Sequence, residues 1–134
     1  KLFESPNIHY AGFIQMRSPE FLELVKKCSW VILPTCAEGQ PGSVIECMAH
    51  GLVPILPREA NIDLESWGIE IDSFDVQHLR DLIIEVSNYS EQDYIARSQA
   101  VLNSVAVDYT VEHFRNSFKK AVLTITDGAE HRID

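Results

Sequence analysis

Two glutamates eight positions apart, Glu38 and Glu46, are the residues of this sequence best suited to chemistry. An ionised carboxylate accepts hydrogen bonds without donating them, which suits the paired hydroxyl groups of a sugar. Residues 39–43 between them, GQPGS, are typical of a turn that opens a helix, and the free N–H groups of such a helix start attract anions. A ligand with sugar hydroxyls at both ends and a diphosphate in the middle would fit this layout.

The sequence around the two glutamates predicts the elements that must position them. An apolar run, WVIL at 30–33, precedes the motif, and a second, VPIL at 53–56, follows it. The first run is too continuously apolar for an edge strand, so both are expected to be buried parallel strands. Residues 42–50 are expected to form a helix that Gly51 closes. This order places Glu38 at the carboxyl end of a strand, where open α/β sheets bind ligands.

Capping residues predict four more helices, because their side-chain oxygens accept hydrogen bonds from the free N–H groups of a first turn. These helices are expected to begin after Ser18, Asp75, Ser90 and Thr110 and to end near residues 28, 89, 107 and 125. The inward face of the last one is expected to comprise Phe114, Phe118, Ala121, Val122 and Ile125. Two further strands are predicted at 9–12 and 68–71, and residues 127–134 are expected to be a loose tail.

Composition limits the function. A net charge of −9 argues against nucleic acid as a partner. No apolar run approaches the roughly 20 residues of a membrane span. The three cysteines and five histidines show no metal-ligand spacing, so we expect no metal, free thiols and a cytoplasmic setting. Binding a diphosphate in so acidic a chain calls for cations, which we expect from outside this sequence.

The stretch 38–55, EGQPGSVIECMAHGLVPI, resembles the E-x7-E donor-site motif of retaining nucleotide-sugar glycosyltransferases with two Rossmann domains (the GT-B type). The segments IHYAGFI at 8–14 and SPEFLELVKKCSWVILP at 18–34 are similar to neighbouring family segments, so about residues 8–125 can be aligned. The resemblance implies an α/β fold, a Rossmann-like parallel sheet with flanking helices. It also implies that residues 1–126 form the carboxyl-terminal, donor-binding domain, truncated on its amino-terminal side.

Roles for single residues are implied by the same resemblance. Glu38 would be the catalytic residue that contacts the transferred sugar, and Glu46 would contact the ribose. The other substrate-binding positions would be Gly39, Gln40, Pro41 and Gly42 around the sugar, Ser43 and Val44 at the diphosphate, and Ile14 beside the nucleobase. Simpler roles remain open: a solvated loop acid for Glu38, a partner of the helix dipole for Glu46, and a plain strand end for Ile14.

The activity implied by the resemblance is transfer of a hexosyl group from a UDP- or GDP-sugar to a glycan or lipid-linked acceptor, as in polysaccharide biosynthesis. It involves no metal or other cofactor and allows peripheral membrane association of the full enzyme. The partners would be the nucleotide sugar and an amino-terminal acceptor domain of the same chain, without which this chain is expected to be inactive. Two alternatives remain: a non-catalytic α/β interaction domain, and another nucleotide-sugar enzyme such as an epimerase.

Overall fold

A computed structural model describes residues 5–130 of the chain, with side chains up to residue 126. Five helices, three strands and a short 3-10 turn alternate along it. In chain order they are α1 (Pro19–Val25), β1 (Trp30–Ile32), α2 (Gly42–Met48), β2 (Val53–Leu56), the 3-10 turn (Arg58–Ala60), β3 (Ile69–Glu70), α3 (Val76–Ser87), α4 (Glu91–Asp108) and α5 (Val111–Glu130). A search of these residues finds no helix long and apolar enough to cross a membrane.

The three strands form one parallel sheet in the order β1-β2-β3. Trp30 lies opposite Val53, and Ile55 lies opposite Ile69. The connections between the strands run through α2 and through residues 57–68, so the carboxyl ends of β1 and β2 meet at the same edge. This confirms the predicted α/β class with a parallel sheet and flanking helices.

Two strand predictions were wrong. β1 was expected to be buried, but it lies at the edge of the sheet and Ile32 is 43% exposed. Residues 9–12 were expected to be a strand, but they form none and their side chains are exposed. The same physical reason applies to both, because a strand needs a hydrogen-bonding partner, and among the described residues β1 has such a partner on one side only.

The core lies between β2 and the helices α2 and α4. Met48 of α2, Val53 and Leu56 of β2, and Val101 of α4 have no exposed surface. Gly51 lets α4 approach closely, because Ser98 donates a 2.7 Å hydrogen bond from its hydroxyl to the Gly51 carbonyl oxygen. Gly51 also adopts a left-handed φ of 83° and donates its N–H to the Met48 carbonyl, which closes α2 as expected.

All four predicted helix caps are confirmed. The side chains of Ser18, Asp75, Ser90 and Thr110 accept hydrogen bonds from backbone N–H groups of the following first turn. The predicted helix ends are less accurate than the caps: α1 ends at Val25 rather than near residue 28. The cap predictions are correct because each capping hydrogen bond joins residues at most three positions apart in the chain.

The last helix differs from its prediction in two ways. α5 continues to Glu130, through the first part of the segment expected to be a loose tail, and residues 131–134 lie outside the described part of the chain. The side chains expected to face inward are exposed, including Phe114 at 67% and Phe118 at 61%. Of the described elements α4 contacts α5, and every side chain described on α5 remains exposed.

Candidate functional site

Glu38 lies in the loop after β1, and the loop after β2 holds it in place. The Glu38 N–H donates a 3.0 Å hydrogen bond to the Glu59 carbonyl oxygen. The Asn61 side-chain amide donates to the Glu38 carbonyl oxygen. Two loops at the carboxyl edge of the sheet are therefore tied together through one residue of the motif, while the Glu38 side chain stays exposed to solvent.

Four described residues other than glycine have a left-handed backbone, which is unusual for a residue with a side chain. Arg17 has a φ of 64°, Gln40 of 65°, Asn61 of 53° and Glu65 of 43°. Asn tolerates the left-handed region because its short polar side chain bonds locally. For Arg17 and Gln40 such a backbone costs on the order of 1–3 kcal/mol, and this strain persists only where neighbouring contacts impose it.

The start of α2 presents two free donors. The Pro41 carbonyl accepts hydrogen bonds from the N–H groups of Val44 at 3.0 Å and Ile45 at 3.2 Å. Within the described residues, the N–H groups of Gly42 and Ser43 have no acceptor. The N–H of Val44 is thus paired within the helix start, and its side chain, 2% exposed, belongs to the core. The N–H groups of the helix start that remain without an acceptor among the described residues are those of Gly42 and Ser43.

Glu46 is paired with Arg17, which comes from the loop before α1. Arg17 Nε lies 2.8 Å from Glu46 Oε1, and Nη2 lies 2.7 Å from Oε2, a planar two-bond arrangement. The hydrogen bond from Arg17, more than the charge itself, lowers the pKa of the Glu46 carboxyl, and the same pair raises the pKa of Arg17. His50 Nε2 stands 3.9 Å from Glu46 Oε1.

Glu46 is not a partner of the helix dipole, the simpler role considered for it. A carboxylate stabilises the helix dipole when it lies in the first turn, and the first turn of α2 contains no acidic residue. The side chain of Glu46 is 16% exposed, whereas that of Arg17 is 79% exposed. Glu46 is thus a half-buried acceptor whose cationic partner reaches it from the solvent side.

The side chains of Ile14 and Arg58 have partners other than Glu38 and Glu46. Ile14 packs against the cluster of Phe21, Val25 and Leu52, so its side chain has a packing role. Next to it, Phe13 is 95% exposed. Arg58 pairs with Glu59 at 3.1 Å, and its side chain is exposed.

Two residues of the site escaped the sequence analysis. Asn61 carried a weak signal, because asparagine is enriched in the left-handed conformation that the turn after β2 requires. Arg17 carried none, since it lies 29 positions from Glu46 and no local pattern connects them. It brings a cation of this chain to within hydrogen-bonding distance of the motif carboxylate.

A cavity of about 770 Å³ adjoins the motif, and its lining residues include neither Glu38 nor Glu46. Gln40, Ile45 and Asn61 line one side of it. The other side is formed by the turn after β2 and the junction of α4 with α5, with Asp63, Glu65, Asp108, Tyr109, His113 and Phe114 among the lining residues. Burial, followed by three nearby carboxylates, raises the pKa of Tyr109. The carboxylates of Asp63, Glu65 and Asp108 make these walls acidic, which disfavours an anionic ligand in this cavity.

Metal and thiol chemistry have little support in the described residues. No group of three or more His, Cys, Asp or Glu side chains there could hold a metal ion. Cys28, Cys36 and Cys47 are unpaired with one another, and burial raises the pKa of the Cys47 thiol. A neutral, half-buried thiol is a poor nucleophile.

Comparisons of the chain with protein-family models, with curated proteins and with solved structures found no match. The likeness to glycosyltransferases therefore rests on the sequence resemblance of residues 38–55. Function has to be judged from the side chains and backbone groups of this chain.

Proposed function

We propose that this chain is the donor-binding domain of a retaining glycosyltransferase, which moves a hexosyl group from a UDP- or GDP-sugar to a glycan or lipid-linked acceptor. One observation carries the proposal. Within nine consecutive residues the chain presents an exposed carboxylate at Glu38, two free N–H groups at Gly42 and Ser43, and an oriented carboxylate at Glu46. These groups match, in order, the sugar, the diphosphate and the ribose of a nucleotide sugar.

Charge develops on the nucleotide diphosphate as the glycosidic bond breaks, and oriented donors lower the energy of that state. The N–H groups of Gly42 and Ser43 are such donors, fixed by the first turn of α2. Arg17 adds a cation on the same side, because Glu46 lies four residues, roughly 6 Å along the axis, from Gly42. Arg17 uses Nε and Nη2 for Glu46, which leaves Nη1 free of that pair.

Glu38 is proposed to accept hydrogen bonds from the hydroxyls of the transferred sugar. Its backbone is anchored on both sides, by Glu59 and Asn61, so its carboxylate is presented from a defined position. Glu46 is proposed to accept from the ribose hydroxyls. Each of its oxygens accepts one hydrogen bond from Arg17 and retains a second lone pair for the ligand.

A second candidate function is a non-catalytic interaction domain of the same fold. The observation that favours it is the Arg17–Glu46 pair itself, because both oxygens of the motif carboxylate accept hydrogen bonds from a side chain of the same chain. In that case the pair serves only to fix the loop before α1 on α2. The two candidates differ in one measurable property, which is nucleotide binding.

Titration of the chain with UDP and GDP, followed by amide NMR shifts, tests the proposal. We expect a dissociation constant on the order of 0.1–1 mM, with the largest shifts at Gly42 and Ser43. Inorganic phosphate at equal ionic strength serves as the control ligand and should give smaller shifts at Glu46. Shifts confined to other residues, or no saturable shift at all, would favour the interaction domain.

A further inference from the structure

The cavity of about 770 Å³ beside the motif is a concave site separate from the two glutamates. Its volume lies within the range of pockets that take small organic molecules, roughly 300–1,000 Å³. The rings of Tyr109 and Phe114 and the aliphatic side chain of Ile45 give it apolar surface. Gln40 is the one residue that it shares with the proposed donor site. The cavity can therefore hold a second ligand.

The charged groups on the cavity wall have one sign. Asp63, Glu65 and Asp108 contribute carboxylates, and no Lys or Arg is among the described residues that line it. The lining side chain that can become a cation is His113, whose Nδ1 lies 3.9 Å from Asp108 Oδ1. Concave walls of one sign focus the electric field and raise the local concentration of counter-ions. The wall therefore favours a positively charged ligand.

Each of these carboxylates is held by one hydrogen bond from the chain. Asp63 Oδ1 accepts from the backbone N–H of Glu65 at 3.0 Å, and Glu65 Oε2 accepts from Trp67 Nε1 at 3.2 Å. Asp108 Oδ2 accepts from the Ser104 hydroxyl at 3.2 Å. The second oxygen of each carboxylate accepts no hydrogen bond from a described residue. The carboxylates are thus oriented, and each keeps an acceptor for a ligand.

Tyr109 lies among these carboxylates. Burial, and then the negative charges of Asp108, Asp63 and Glu65, raise the pKa of its hydroxyl. Two separate parts of the chain, the turn after β2 and the end of α4, therefore bring negative charge to one aromatic ring. The face of such a ring attracts ammonium groups. Carboxylates beside an aromatic ring suit a cation that also has apolar surface.

We propose that this cavity binds a linear polyamine, an organic cation with more than one ammonium group. Its ammonium groups would pair with the carboxylates of Asp63, Glu65 and Asp108, and its carbon chain would lie against Tyr109 and Phe114. A metal ion would fill little of the volume and would leave the aromatic rings unused. A neutral sugar would leave the negative charge of the wall uncompensated. The proposal stands whether or not the chain binds nucleotide sugars.

Titration of the purified 134-residue chain with spermidine, followed by calorimetry and amide NMR shifts, tests the proposal. We expect saturable binding, with the largest shifts near Asp63 and Tyr109. Magnesium chloride and neutral maltotriose, at equal ionic strength, are the comparison ligands and should cause smaller shifts there. Asp63→Asn/Asp108→Asn removes two charges and keeps an acceptor oxygen at each site. It should weaken spermidine binding by about tenfold or more.

Asp81→Asn/Glu85→Gln is the matched control, because it changes the net charge equally on the exposed surface of α3. It should retain most of the binding, and circular dichroism should show that both variants keep their helices. Equal losses in the two variants would mean that only net charge acts, and would overturn the proposal. So would a lack of saturable shifts near Asp63 and Tyr109, or binding of magnesium or maltotriose there as tight as that of spermidine.

Discussion

Arg17 and Glu46 stand 29 residues apart in the chain and are joined by two hydrogen bonds, of 2.8 and 2.7 Å. The pair attaches the loop before α1 to the middle of α2. Arg17 adopts a left-handed backbone to make it, with a φ of 64°. The conformation of this loop and the ionisation of the motif carboxylate are therefore coupled.

The pKa of Glu46 should depend on Arg17. Its folded-state pKa is lowered, so the pair stabilises the fold above the unfolded pKa of a glutamate, and this contribution is lost as pH falls through the folded value. Arg17→Gln should raise the pKa of Glu46 and make the free energy of unfolding less sensitive to acid. NMR titration of the side-chain carboxyl measures the first effect, and urea unfolding between neutral pH and about pH 3 measures the second.

Lys26→Gln is the control for that experiment, since it removes a similar exposed pair, with Glu23, on α1. It should raise the pKa of Glu23 and leave that of Glu46 unchanged. If Arg17→Gln leaves the Glu46 titration where it was, the pair does not form in solution.

If the proposed function is correct, substitutions of the two motif glutamates should affect ligand binding differently. Glu46→Ala should weaken UDP and a UDP-hexose alike, by about tenfold to a hundredfold, because both ligands contain the ribose. Glu38→Ala should weaken only the UDP-hexose, because its proposed contact is the sugar. Calorimetry with both ligands measures this, with Glu20→Ala on the exposed face of α1 as a neutral control. Equal losses for both ligands in Glu38→Ala would contradict the assignment.

Asn61 combines a left-handed backbone with the hydrogen bond that holds Glu38, and two substitutions separate these roles. Asn61→Gly keeps the backbone conformation and loses the side-chain amide, so we expect faster hydrogen exchange at the Glu38 amide and little change in global stability. Asn61→Ala loses the amide and adds left-handed strain of about 1 kcal/mol. In urea unfolding, the free energy of unfolding should be lower for Asn61→Ala than for Asn61→Gly. The reverse order would show that the turn relaxes to another conformation.

Gly51 should tolerate no side chain. Its φ is 83°, and a Cβ atom there would lie 2.8 Å from the Ser98 hydroxyl oxygen. We expect Gly51→Ala to destabilise the chain by on the order of 2 kcal/mol. Gly39→Ala is the matched control, because a Cβ atom at Gly39 meets nothing within 4 Å. Thermal unfolding of both variants compares them, and similar midpoints would mean that α4 does not approach α2 as closely as described.

The sequence alone determined the features of this protein that depend on near neighbours. Ser18, Asp75, Ser90 and Thr110 cap their helices as predicted, because each cap bonds an N–H group two or three residues ahead. The parallel pairing of β1 with β2 also followed from the sequence, because a helix between two apolar runs permits a right-handed crossover. The E-x7-E spacing alone placed Glu38 and Glu46 on either side of a helix start.

Tertiary structure decided whatever depends on partners distant in the chain. Apolar periodicity shows that α5 has an apolar face and that β1 is apolar, but it does not show whether other elements cover them. Among the described residues the side chains of α5 stay exposed, and β1 pairs with another strand on one side only. Likewise, no local pattern connects Arg17 to Glu46 or Asn61 to Glu38. Contacts of this kind form only when loops converge at one edge of the sheet, and the free energy that selects them comes from the packing of the whole domain.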